Sequence, residues 1–475
     1  MEQKMENRPH DAHHSTIVQL THGEPPQGES MLDQLSVGFD FVGDFWREKY
    51  LQEFIPAGGS KIKFLTGQSG SGKTHVLHLL AAKARKEQFI TVRFSAKDIW
   101  LHDFKEIYLE ILSQSNLERL LLQCSHKVIA SLGFDHHDIP EGMTFIDYLS
   151  QMGMADALTR REIRLQLKTL FMDNKVLDNN FALACSLLCG GLLGHPFLEG
   201  QSRQTLLGWL GGDKSIKVAA LRPLGLAPSK ITKFNARHML RSLAEVVRLA
   251  GHAGLFVGID NLEVLVDKSS LNPMHYTKMK RDDTYESIRQ LIDDIDNFRN
   301  IMILFAFDRA LLDNENSGMK SYQALWMRIQ NEIVGSRLNR FGDILDLDAM
   351  ALQVYSPQML VEMSARLARV VNSIEVHAQP IDEAKAAEIV NLARMGGLSI
   401  PRLVNQATLA SVEGWCNDIR FSFKTYDRGL AFRHPLEGCG AIFFRSPPKI
   451  MQELIHDLDA VRNDGFSGGK VISGK

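Results

Sequence analysis

The sequence predicts an α/β protein: a doubly wound parallel sheet interrupted by a large helical insertion and followed by a C-terminal helical domain. Three observations predict it. Four short apolar runs, IKFL (residues 62–65), FITVRF (89–94), GLFVGID (254–260) and IMILFAF (301–307), read as buried strands. Helix-periodic segments separate them, which is the pattern of parallel strands joined by crossovers. The first run leads into the turn TGQSGSGKT and then HVLHLL, a strand, a glycine-rich loop and a helix in the order that puts a ligand at the sheet's C-terminal edge.

That loop satisfies G-x-x-x-x-G-K-[ST] with Gly67, Gly72, Lys73 and Thr74. Backbone N–H groups of Gly67, Gln68, Ser69, Gly70, Ser71 and Gly72 can converge on phosphate oxygens, and the new helix turns its positive dipole end toward them. Lys73 neutralises charge there, and the Thr74 hydroxyl is a ligand for Mg²⁺. A merely flexible Gly/Ser turn does not account for the strand, loop and helix occurring in that order. A second signal agrees: GLFVGID ends in Asp260, a carboxylate at the C-terminal edge of a buried strand, where it can support the metal. The competing role for Asp260 is an N-cap for the next helix.

With 475 residues, 44% hydrophobic and 23% charged, the chain has the composition of a soluble protein of two or three domains. A net charge of −2 and a pI near 6.8 remove any global electrostatic case for nucleic acid, though not a local one. The local candidate is Lys278, Met279, Lys280 and Arg281, a short basic patch before a helix that reads either as a solvated loop or as a phosphate groove. Five scattered cysteines and a start without the apolar core of a signal peptide point to the cytoplasm. Cys185 and Cys189 lie one helical turn apart among apolar residues and read as buried packing rather than a metal pair, in a run too short and glycine-broken to span a bilayer. No membrane partner is expected. Asp135, His136, His137 and Asp138 read either as a polar turn before Pro140 or as metal ligands.

Along the chain, residues 1–35 form a polar, flexible leader, and 36–98 with 212–350 form the sheet core. Residues 99–211 form the helical insertion, whose segments FKEIYLEILSQSNLERLLLQ and RREIRLQLKTLF are broken at Gly133, Pro140, Gly153 and residues 200–202. The aromatic run FDFVGDFWREKYLQEF (39–54) is helix-compatible, and either flanks a base or covers the sheet edge. A helical arm follows at 237–250. Residues 351–475 form a smaller helical lid domain, with helices in SPQMLVEMSARLARVVNSI, DEAKAAEIVNLARM and PRLVNQATLASVEGW, and a loose tail ending in FSGGKVISGK.

Together these motifs resemble the AAA+ branch of P-loop ATPases. More narrowly, the chain is similar to the ATP-binding proteins of bacterial phage-exclusion (BREX) defence systems, which are related to origin-recognition ATPases. The resemblance spans roughly residues 36–415. It is carried by LRSLA (240–244), GHAGL (251–255), IDNLE (259–263), YESIRQLIDD (285–294), GMKSYQALWMRI (318–329) and IPR (400–402). It implies ATP and Mg²⁺ as cofactors, with residues 67–74 around the phosphates and Thr74 and Asp260 on the metal side. Asp308 falls at the polar sensor position after the fourth strand, and Arg402 falls at a second sensor that reaches the γ-phosphate. Arg328, Arg337 and Arg340 are candidates for an arginine finger completing a neighbour's site in a homo- or hetero-oligomer.

Two departures bear on hydrolysis. The resemblance implies Glu directly after the strand-end Asp, where Asn261 stands and cannot accept a proton; Glu263 matches the second acidic position of the pattern. Asp308 also stands where the pattern has a neutral Thr or Asn. Binding is unaffected by either, and hydrolysis is put in question. One reading is therefore a nucleotide-dependent switch working with other proteins of an anti-phage system. The alternative is a DNA-associated remodelling motor or helicase-loader or initiator-like ATPase, and a third reading is a scaffold that binds nucleotide only in order to fold.

Overall fold

A computed structural model of the chain describes residues 29–269, 272, 274–329, 339–373, 378–395, 398–409, 422–426, 429–433 and 442–445. The described residues form two compact units, the first ending at Tyr355 and the second beginning at Ser356.

The first unit is built on a five-stranded sheet in the order β2-β3-β4-β1-β5. The strands are β1 Ser60–Gly67, β2 Phe89–Ser95, β3 Gly254–Asp260, β4 Ile301–Asp308 and β5 Ile344–Asp346. All four pairings are parallel. The first four strands are those read from the apolar runs, and both faces of the sheet show why the runs are continuous. Ile301, Ile303, Phe305 and Phe307 of β4 pack into one core, shared with the helices Phe104–Ser115, Leu117–Ser131, Ala236–Ala250 and Lys278–Asp293. Met302, Leu304 and Ala306 face the opposite core, shared with the loop helix Lys73–Lys86 and with Trp46 and Leu51. Gly258 on β3 admits that loop helix closely: a β carbon there would lie 2.8 Å from Leu77 Cδ2.

The fifth strand is the difference from expectation. Three residues long, β5 pairs with β1 through Phe64, Leu65 and Thr66 and closes one edge of the sheet.

Lys63 is the polar exception inside β1, with no solvent exposure. Its ammonium donates to the carbonyls of Phe341 and Gly342 at 2.7 Å each, lies 3.2 Å from Asp343 Oδ1, and sits 5.3 Å and 4.7 Å from the rings of Trp46 and Tyr50. Trp46 ends the helix Asp40–Trp46 and Tyr50 lies in the π-helical turn Arg47–Phe54, so this aromatic segment covers the sheet at β1.

Between β2 and β3 the described chain is helical wherever it is regular. Cys124, Cys185 and Cys189 are buried there as free thiols, which for Cys185 and Cys189 is the packing read from their apolar flanks. In the second unit the helices Pro357–Asn372, Glu383–Met395 and Ile400–Leu409 pack together, with Ser364 Oγ and Thr408 Oγ1 hydrogen-bonded at 2.6 Å. An antiparallel sheet, β6 Ser422–Tyr426, β7 Gly429–Arg433 and β8 Ile442–Arg445, was not expected from a helical lid. The leader up to residue 28 and the tail from 446 lie outside the described residues. No helix among the described residues is long and apolar enough to cross a membrane.

Candidate nucleotide site

The C-terminal ends of β1, β3 and β4 converge on the glycine-rich loop. The loop reverses through Gly70 (φ 83°) and Gly72 (φ 91°), conformations that side chains with a β carbon rarely adopt, and the helix begins at Lys73. At Gly67 a β carbon would lie 2.5 Å from Ser71 Oγ, so the first glycine is required by the loop's own closure.

Lys73 Nζ donates to the carbonyls of Gly67 and Gln68 at 2.9 Å each and lies 3.7 Å from Asp308 Oδ2. Thr74 Oγ1 donates to Asp260 Oδ2 at 2.5 Å. Asp260 is 7% exposed, and its other oxygen accepts the Asn261 N–H at 2.7 Å. Asn261 has a left-handed backbone (φ 59°, ψ 37°), and its side-chain amide donates to Ser95 Oγ at 3.0 Å, tying β3 to the end of β2. Glu263, in the short helical turn Leu262–Leu265, accepts the Asp308 N–H at 3.0 Å. Burial raises the Glu263 carboxyl above its usual range, against the pull of nearby Lys73.

The sequence reading missed Asp348. It sits in the helix Leu347–Val354, directly after β5, and its Oδ2 accepts the Gln68 N–H of the phosphate loop at 2.6 Å. Its other oxygen is buried without a partner, and burial raises its carboxyl. Next to it, Asp346 takes a 2.9 Å hydrogen bond from Arg309, whose own N–H donates to Gly67 O at 3.1 Å. The signal that would have found Asp348 is the triplet Asp346, Leu347, Asp348 at a strand end, legible only once β5 is recognised.

The remaining candidates are placed differently. Arg402 is the third residue of Ile400–Leu409 in the second unit. Arg328 is held by Asp293 through hydrogen bonds of 2.8 and 2.9 Å, and the Arg340 guanidinium lies 4.6 and 4.5 Å from the rings of Phe41 and Phe45. Arg337 lies outside the described residues. The basic patch opens the helix Lys278–Asp293 rather than preceding it, with Lys280 Nζ 3.8 Å from the Trp100 ring and Arg281 buried.

The site fits a magnesium nucleotide on its own evidence. Ser71 Oγ is buried in the loop without a partner, the ammonium of Lys73 is directed at carbonyls that a phosphate would outcompete, and the hydroxyl and carboxylate of Thr74 and Asp260 are a hard oxygen pair suited to Mg²⁺. No curated protein and no solved structure matches the chain. The family described as "BREX system ATP-binding protein BrxC/D" matches residues 10–132 and 142–403, most of the length, and the chain belongs to it as an ATP-binding protein of BREX antiviral defence.

Proposed function

We propose that the chain is a nucleotide-dependent switch: ATP binding, with hydrolysis slow or dependent on partners, sets the state in which it meets the other proteins of the defence system. In this reading the amides of residues 67–74 and Lys73 hold the phosphates, and binding exchanges the carbonyl partners of Lys73 for phosphate oxygens. Thr74 and Asp260 would hold Mg²⁺, which when bound neutralises charge between phosphate oxygens. Asp308 would face the phosphates from the end of β4, and Arg402 would read the γ-phosphate from the lid.

The observation that carries the switch is Asn261. In this reading the loop, Lys73, Thr74 and Asp260 supply the binding groups, yet the residue after the strand-end carboxylate is an amide that donates to Ser95. General-base assistance of about 10²–10⁴-fold is therefore absent at that position. One observation favours the motor reading: Glu263 lies beside Asp308, with Lys73 and Asp260 close enough to bias its proton. A carboxylate of raised pKa in that position has the character of a base.

Separate measurements of binding and turnover decide between them. Calorimetry with ATP and Mg²⁺ should show that Lys73→Ala abolishes binding, because phosphate charge then lacks its ammonium. Wild-type turnover should be slow and Asn261→Glu should raise it. Brisk wild-type turnover that Glu263→Gln stops, with Asn261→Glu inert, makes Glu263 the base and the protein a motor.

A further inference from the structure

We propose that the insertion carries a site for a divalent cation of the imidazole-binding class, Zn²⁺ foremost, formed by Asp135, His136 and His137 with His126 as the fourth donor. The ligand atoms of Asp135, His136 and His137 all lie within 4.8 Å of one another. Sequence proximity explains those three, but not His126, which belongs to the helix Leu117–Ser131. Its ring stacks on that of His136 at 3.8 Å between centroids with 21° between planes, and His136 in turn lies 4.0 Å from His137. His126 is half-buried and lies outside that set of mutually close donor atoms, so it becomes a ligand only by turning its ring out of the stack on His136.

Proximity in sequence does not bring His126 onto this turn. Among the described residues no hydrogen bond satisfies a ring nitrogen of His126 or His137, and His136 Nδ1 lies 3.5 Å from Asp135 Oδ1. The turn is also held in place. Asp135 Oδ1 accepts the His137 N–H at 2.9 Å, fixing the turn while its second oxygen stays available. Phe134 and Ile139, on either side, pack against the core, and Phe134 meets Phe145 edge to face at 5.3 Å.

The donor set selects the ion. Three imidazole nitrogens and one carboxylate suit Zn²⁺, Co²⁺ or Ni²⁺, while Mg²⁺ and Ca²⁺ prefer oxygen alone. A tetrahedral site with bonds near 2.0–2.1 Å brings donors to about 3.3 Å from one another, a contraction that rotation of partly exposed side chains can supply. The bound ion would clip the His136–Asp138 turn to the helix that carries His126.

The test uses the full chain, stripped with a chelator and without nucleotide. Co²⁺ is titrated while its visible d–d absorption is followed, Zn²⁺ is then competed against a chromophoric chelator, and Mg²⁺ serves as the control. The expected result is a single equivalent bound at low micromolar concentration or tighter, with absorption typical of four-coordination and no response to Mg²⁺. His136→Ala and, separately, His126→Ala should each weaken binding about tenfold or more, by loss of a donor. Zn²⁺ should raise the melting temperature of the wild type but not of His136→Ala. Far-UV circular dichroism confirms that each variant is folded, and His137→Gln replaces any that is not. The proposal is overturned if no d–d bands develop, or if His136→Ala binds as the wild type does because the metal sits on histidines elsewhere. Binding that depends on His136 but not on His126 also overturns it, since the residue joining the two elements is then no ligand.

Discussion

A left-handed backbone at Asn261 constrains which residue can stand at the most consequential position of the site. An L-residue in that region costs about 1–2 kcal/mol, and Asn is among the few whose short polar side chain offsets the cost locally. Here the offset is visible in the bond from the Asn261 amide to Ser95 Oγ. The missing carboxylate and the geometry of the turn are therefore one fact. Asn261→Glu should lower stability by ~1–2 kcal/mol in urea unfolding, while Asn261→Gly, which keeps the backbone free to turn, should lose less. Equal losses would mean that the Ser95 bond, not the backbone, accounts for Asn at this position. Residue by residue, the site is legible where the chemistry is local in sequence: Lys73 and Thr74 stand in one motif, and Asp260 and Glu263 flank one strand end. Asp348 was not legible, because it reaches Gln68 from 280 residues away through a register that no local pattern encodes.

At the scale of elements, length decides what could be read. β1 to β4 are apolar runs of seven or eight residues, with β1, β3 and β4 buried along most of their length and β2 half-buried at the sheet edge, and such runs announce themselves. β5 has three residues with carboxylates close by, and its identity comes only from pairing with β1. Lys63 shows the converse: a lysine in an apolar run looks like a defect until the carbonyls of Phe341 and Gly342, just before β5, are found to accept its hydrogen bonds. The helix Lys278–Asp293 buries Tyr285, Ile288 and Leu291 and carries a charged network on its other side. Its Glu286 carboxyl is pulled down to about 2, first by the hydrogen bond from Arg289 and then by those from Tyr322 and Gln290. Because this folded value lies below the ordinary one of 4.5, the group contributes stability above that pH and loses it as pH falls from 4.5 toward 2. The urea midpoint of wild type should exceed that of Glu286→Gln at pH 7, with the gap closing across that window. A gap that stays constant down to pH 3 would show that packing, not charge, is what the substitution removes.

For the whole molecule, the proposed switch requires that a nucleotide bound by the first unit be registered by the second. The covalent path is short: Asp348 accepts a hydrogen bond from the phosphate loop, and its helix Leu347–Val354 leads the chain to Ser356, where the second unit begins. A switch needs a second contact that distinguishes ATP from ADP, since a ligand shifts an equilibrium only by its differential affinity for the two states. Arg402 is the residue proposed for that contact, placed near the start of Ile400–Leu409 by the break at Pro401. A charge-assisted hydrogen bond to the γ-phosphate contributes about 1.5–3 kcal/mol, so Arg402→Ala should reduce the preference for ATP over ADP by roughly 10–100-fold while ADP affinity stays level. Arg402→Lys, which keeps the charge but loses the planar fork, should fall between. Competition calorimetry with the two nucleotides measures the ratio, and thermal melting of the free protein checks that the helix still folds. If the ratio is unchanged with the fold intact, Arg402 is not the sensor.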